Sequence, residues 1–395
     1  MPGAAVPARA ARIAAFAAAL LLVLLLLFRK QLWTGFDLLL GDRNDAVLEA
    51  ALLEHWFNVL RGVSRWQQVN HFYPWPGGLG YNDGYFLYGL VYAPFRWLGA
   101  DPLLASECVN IVLKAVGFAA FFAACRRLLG LAAGWSLFGA ALFSLSYTGF
   151  VRAGNAQLLT TAFVPLQALL LWQACLALKA RRANALMLWG GAGAVFYGAW
   201  LMTAFYMAWF FAFFMLFFCA AGLVVLGRDG RRTLCRAVIA CRLPLLVVAL
   251  AGLAAAVPVL LVYGPKMGET GMRNWSEAAS FIPSPADILN FGQGNYLFGA
   301  LYRHAAAFVC PACDTANSEF TTGFAPVLLL PFLASLVLLV RQKTQPLLLA
   351  MTLAAFASWL VCVRFGDVTA WRLVYDLVPG AKVLRVVSRY QLLLA

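Results

Sequence analysis

Five carboxylates, Asp37, Asp42, Asp45, Glu49 and Glu54, crowd the region after the first apolar run, where GDRNDAVLEAALLEHW occupies residues 41 to 56. The crowding stands out because only 16 of the 395 residues are acidic. A carboxylate at such a place can bind a cation, accept a proton from a hydroxyl, or cap a helix. The last role needs no site, since Asp at an N-cap stabilises a helix by roughly 1 kcal/mol for backbone reasons alone. For Asp37, Asp42 and Asp101 taken singly, that structural role leads. Lys114, within VNIVLKAVGF, is the other unusual group. A cation inside an apolar run reads as functional by default, and Glu107 stands too far along the same helix to be its obvious partner.

A membrane fold must position these groups. The chain is 63% hydrophobic and 12% charged, with a mean hydropathy of +0.80, whereas charged residues make about a quarter of a soluble globular chain. Crossing ~30 Å of hydrocarbon takes about 20 residues. By that test spans fall near 13–32, 103–125, 133–151, 156–178, 185–203, 205–226, 243–263, 324–340 and 346–363, with a tenth beginning near Val383. The tenth is cut short at RYQLLLA and reads as part of a truncated fragment of a longer protein. Run lengths, and the need to satisfy every backbone group inside a bilayer, predict helices rather than a barrel. The expectation is one all-α polytopic membrane domain over residues 1–395. Arg9 and Arg12 precede the first run as in a signal peptide, but no small-x-small cleavage site follows Phe28, so this helix reads as a signal anchor.

The net charge of +14 is spread over short gaps between apolar runs: Arg126 and Arg127; Lys179, Arg181 and Arg182; Arg228, Arg231, Arg232, Arg236 and Arg242; Arg341 and Lys343. These gaps alternate, so all fall on the side of the N-terminus, which the positive-inside rule makes cytoplasmic. Basicity here encodes topology, and a nucleic-acid partner is excluded. The chain reads as a multi-pass protein of the cell's inner (plasma) membrane. All of the 16 acidic residues except Asp229 lie in or beside segments on the opposite, outer side. Of the 9 cysteines, Cys310 and Cys313 form CPAC in an outer loop, where an oxidising compartment favours a local disulfide over zinc or redox chemistry.

Two outer segments, 33–102 and 264–323, are too long to be connectors. Within the first, Asp45 caps a helix through Glu54 and Trp56 whose apolar face is Val47, Leu48, Ala51, Leu52 and Val59, suited to the membrane surface or the bundle. FYPWPGGLGYNDG (72–84) is turn chemistry throughout, and YFLYGLVYAPFRWLG (85–99) is a short aromatic helix rich in interface anchors.

This arrangement resembles the GT-C class of integral-membrane glycosyltransferases, which use polyprenyl-phosphate-linked sugars as donors. The matching features are GDRND after the first span, the surface helix AVLEAALLEHWFNVLRG, and the Pro/Gly segment leading into a second interfacial helix. RNWSEAASFIPSPADIL (273–289), SEFTTGFAP (318–326) and PGAKVLRVVSRYQLLL (379–394), with its Arg-x-x-x-Arg spacing, complete the likeness over most of the chain.

The resemblance implies a GT-C-like bundle of about ten spans and a catalytic base at Asp45, with Asp42 its close competitor. It also reverses the capping interpretation for Asp83. In such a transfer an acceptor hydroxyl attacks the anomeric carbon while polyprenyl phosphate leaves, so a carboxylate must reach that hydroxyl and cations must meet the leaving anion. Arg273, Arg385 and Arg389 are the candidate cations, although Arg385 and Arg389 equally suit snorkelling from a helix end. Some members hold a divalent cation on outer-loop carboxylates and others do not. Asp45, Asp83 and Glu319 are the candidate ligands for magnesium or manganese, yet neither long loop contains a DxD triplet. The acceptor class is open among glycan, lipid and protein. Two alternatives stand beside the transferase: a secondary transporter or flippase, and a non-catalytic subunit on the same scaffold.

Overall fold

The computed structural model describes residues 5–41, 45–145, 155–309, 311, 313, 317–342 and 345–395. The main helices are α1 (Ala5–Leu27), α2 (Asp45–Leu60), α3 (Phe86–Trp97), α4 (Pro102–Arg127), α5 (Ala133–Leu145), α6 (Phe163–Lys179), α7 (Ala183–Leu201) and α8 (Phe205–Val225). They continue with α9 (Gly227–Ala240), α10 (Arg242–Thr270), α11 (Gly299–Val309), α12 (Pro326–Gln342), α13 (Pro346–Val361), α14 (Trp371–Leu377) and α15 (Tyr390–Leu394). The described strands form one small hairpin, in which Arg364–Phe365 pairs antiparallel with Val368–Thr369.

Five segments are long and apolar enough to cross a membrane: Arg9–Leu27, Pro102–Arg127, Ala156–Lys179, Phe205–Val225 and Arg242–Thr270. The chain is a helical membrane protein, but ten such spans are not found among the described residues. The shortfall has local causes. Helix α5 has 13 residues, a rise of about 20 Å, and 146–151 of the expected span lie outside the described residues. Helices α12 and α13 have 17 and 16 residues. Helix α7 has 19, but Gly190, Gly191, Gly193 and Gly198 dilute its hydropathy. Around Val383, where a tenth span was expected, the chain makes two separate 3-10 turns, Ala381–Val383 and Val387–Arg389, before α15 starts at Tyr390. The Arg385-x-x-x-Arg389 spacing therefore lies on irregular backbone rather than on one helix face.

The first long segment, 33–102, packs onto the bundle. Helix α2 lies against α3 and α4 and buries Ala46, Glu49, Ala50, Leu52, Leu53, His55, Trp56 and Phe57. This corrects the expected apolar face: Val47 and Ala51 are exposed, Leu48 and Val59 are half-buried, and an acid, Glu49, sits inside. The reason is that α2 meets two helices at once, so its buried side is wide and takes in Trp56 and Phe57 together with the small Ala46 and Ala50.

Close approaches fix the rest of the frame. A Cβ added at Gly198 of α7 would lie 2.6 Å from Ala255 Cβ of α10, so only a small residue allows the two backbones to meet there. One at Gly84 would lie 2.3 Å from the Met202 carbonyl oxygen. That contact holds the 82–84 loop against the end of α7, and Trp56 Nε1 locks it by donating to the Gly84 carbonyl at 2.6 Å. Helix α10 continues to Thr270, so the second long segment, 264–323, opens with helix.

Candidate functional site

A cavity of about 1090 Å³ opens between the two long loops and helices α8 and α10. Its polar end is lined by Asn82, Asp83, Asn155, Gln157, Arg273, Arg385 and Arg389. Its other end runs down between two membrane-crossing segments, past Trp209, Ala212, Phe213 and Leu216 of α8 and Val259, Leu260, Tyr263 and Met267 of α10. Both sets recur every three or four residues, so each helix presents one stripe to the groove. The site thus joins a charged head to an apolar channel.

Asp83 reaches this cavity from the turn-rich loop. Its Oδ1 accepts from Phe205 N–H at 2.8 Å, so it caps α8 from a distant part of the chain. Burial pushes its carboxyl up to about 6, against the opposing pull of the Phe205 N–H and the Arg389 charge. The predicted site residue therefore also has the helix-capping role that the sequence reading set aside.

Asp45, at the first turn of α2, is exposed, and its Oδ2 accepts from Asn155 Nδ2 at 3.0 Å. Asn155 Oδ1 in turn accepts from Arg389 at 3.4 Å. Arg389 grips Glu319 with two bonds, Nε to Oε2 at 3.0 Å and a terminal nitrogen to Oε1 at 2.8 Å. The pair is largely buried, with side-chain exposures of 7% and 16%. Burial alone would lower the Arg389 pKa, but the Glu319 carboxylate holds it raised. Glu319 stands behind Arg389, outside the cavity lining, so it orients the guanidinium rather than facing a ligand directly. Ser388 Oγ adds a bond to the Glu319 carbonyl at 2.6 Å.

The other predicted cations take different postures. Arg273 is half-exposed and pairs with Glu277 at 3.1 Å. The Arg385 guanidinium lies 5.4 Å from the centre of the Phe281 ring, while its backbone N–H donates to the Tyr206 hydroxyl at 2.6 Å. Asp42 lies outside the described residues. Asp83, Arg273, Arg385 and Arg389 line one cavity, whereas Asp45 and Glu319 stand outside its lining and connect to it through Asn155 and Arg389, and the three proposed metal ligands do not close on one point. Among the described residues no cluster of three His, Cys, Asp or Glu side chains could hold a metal ion.

Several participants escaped the sequence reading. Asn155 and Gln157 are single amides with no distinguishing spacing. Tyr85 donates to Gln157 Oε1 at 2.9 Å; burial raises its pKa, and the charges of Glu49, Asp83 and Asp45 add to that. Glu49 had a visible signal, since it follows Asp45 by one helical turn. It is buried, and burial plus the nearby Glu107 charge push its carboxyl up to about 8. Glu107 and Asn110 lie on one face of α4 with Lys114, all buried. Glu49 Oε1, Glu107 Oε2 and Asn110 Oδ1 have no hydrogen-bond partner among the described residues. In the second loop, Cys313 is disulfide-bonded, while Cys310, its expected partner, lies outside the described residues.

No family model, curated protein or solved structure matches this chain.

Proposed function

We propose that this protein is a membrane glycosyltransferase of the GT-C kind, moving a sugar from a polyprenyl-phosphate donor to an acceptor at the outer face of the membrane. The observation that carries the proposal is the two-part cavity, charged at one end and continuous with an apolar groove between α8 and α10 at the other. A lipid-linked sugar phosphate has that same division.

In this reading the prenyl chain lies along the Phe213 and Leu216 stripe and the phosphate meets Arg273 and Arg385. Arg389, held in orientation by Glu319, adds positive charge where the leaving phosphate gains negative charge. Asp45 takes the proton of the acceptor hydroxyl as the new glycosidic bond forms and the bond from the anomeric carbon to the phosphate oxygen breaks. Polyprenyl phosphate leaves as the anion.

Release of polyprenyl phosphate from lipid-linked sugars, with membrane extract supplying acceptor, tests this reading. Asp45→Asn is expected to lower turnover by roughly 10²–10⁴-fold. If that variant retains turnover while Asp83→Asn loses it, the base is Asp83, which faces the cavity directly. In that case the wild-type rate rises with pH through about 6, because the base must first lose its proton. Absence of release with every donor would remove the transferase proposal.

One observation favours a second reading. The buried stripe of Glu107, Asn110 and Lys114 lies inside the membrane-crossing Pro102–Arg127 segment, where ionisable residues often serve ion or proton passage. Uptake or lipid scrambling in liposomes without sugar transfer would select a transporter or flippase.

A further inference from the structure

We infer that the opposite, basic end of the bundle holds a binding site for an anionic glycerophospholipid, in a cleft between α1, α4 and α5. The cleft has a volume of about 690 Å³. Arg9 and Arg12 of α1 and Arg126 of α4 line it together with Phe16, Phe122 and Leu137, and no acidic residue is among its lining.

The sequence spacing dictates this division. Arg9, Arg12 and Phe16 follow one another at three and four residues along α1, and Phe122 precedes Arg126 by four on α4. Each helix therefore stacks its arginines above an aromatic ring on one face. The Phe16 ring closes the floor, 5.1 Å from the Phe122 ring and 5.6 Å from that of Phe118. An apolar notch crowned by three guanidiniums is complementary to acyl chains below a phosphodiester. Arg126 also donates to the Leu131 carbonyl, which uses part of a five-donor fork.

The other basic residues of this end offer a contrast. Like Arg9, Arg12 and Arg126, the α9 residues Arg231, Arg232 and Arg236 are exposed, and Arg232 lies 3.8 Å from Asp229. They share the general attraction of cations to an anionic surface, but they do not line this cleft. The cleft is also separate from the cavity between α8 and α10, so the inference is independent of the transferase proposal.

The full chain, purified and exchanged into nanodiscs of phosphatidylcholine with a minor fraction of phosphatidylglycerol, is analysed by native mass spectrometry for retained lipid. The wild type is expected to retain phosphatidylglycerol selectively. An arginine beside an anionic lipid contributes about fivefold in affinity; the cleft arginines contribute it to the seated lipid, those of α9 only to the surrounding bilayer. Arg9→Gln, Arg12→Gln and Arg126→Gln together should therefore weaken retention on the order of a hundredfold, whereas Arg231→Gln with Arg232→Gln and Arg236→Gln should leave selectivity intact.

Because removing charges near the N-terminus can disturb insertion, Leu137→Trp provides a second variant that fills the notch without changing charge. It is expected to reduce retention as well. Equal loss from the α9 variant, or unchanged retention in both cleft variants, would overturn the site in favour of surface attraction alone.

Discussion

Asp45 and Glu49 stand one turn apart on α2 yet occupy opposite chemical settings. Asp45 is exposed and joined through Asn155 to the Arg389–Glu319 pair, whereas Glu49 is 2% exposed and faces Glu107. The first turn of the helix is thus organised by full charges with hydrogen-bond partners, the next turn on the same face by a carboxyl that burial keeps protonated at neutral pH. The lesson is that residue type does not set the role of these acids; the desolvation each suffers and the counter-charge each finds do.

That contrast is open to direct attack, first on the charged side. Glu319→Gln leaves the buried Arg389 guanidinium without its carboxylate and is expected to cost about 3–5 kcal/mol of stability. Thermal unfolding in detergent measures it, and a cost near zero would mean that the cavity wall does not depend on this pair.

On the neutral side the sign reverses. A carboxyl at about 8 in the folded protein, against its ordinary 4.5, keeps a proton that the unfolded chain has lost. Glu49 therefore makes stability fall as pH rises from about 4.5 to about 8. Glu49→Gln is expected to remove that slope and to stabilise by roughly 1–3 kcal/mol at pH 8. A variant with the wild-type pH profile would show that Glu49 is ionised in the fold.

Asp83 sharpens the comparison most finely, because it faces the cavity and also caps α8. Asp83→Asn keeps an oxygen for the Phe205 N–H, while Asp83→Ala does not. The Ala form is expected to be less stable than the Asn form by about 1 kcal/mol, visible in the same unfolding assay. Equal stability of the two would assign Asp83 to the cavity alone.

Asp45, Asp83, Arg385 and Arg389 were singled out through the GT-C resemblance rather than by signals of their own, and of these Asp83, Arg385 and Arg389 line the cavity while Asp45 reaches it through Asn155. Glu319 was legible as an acid but not in its role, since its partner lies 70 residues away. Asn155 carried no signal, because a lone amide is common and its bond to Asp45 spans 110 residues. On α2 the amphipathic pattern was visible, but its buried side was misjudged, because the sequence does not say that the helix meets both α3 and α4.

The sequence by itself determined that this is a helical membrane protein, most of whose charged residues lie in the segments between and beside its apolar runs. Hydropathy, run length and charge placement act locally, along one helix or one loop, and need no partner to be expressed. Only the tertiary structure decided which acid is neutral and which is paired, that Glu319 serves Arg389, and that two apolar stripes on α8 and α10 meet below a ring of charge. Those outcomes depend on which distant surfaces exclude water from one another, and desolvation and ion pairing follow from that contact rather than from the order of residues.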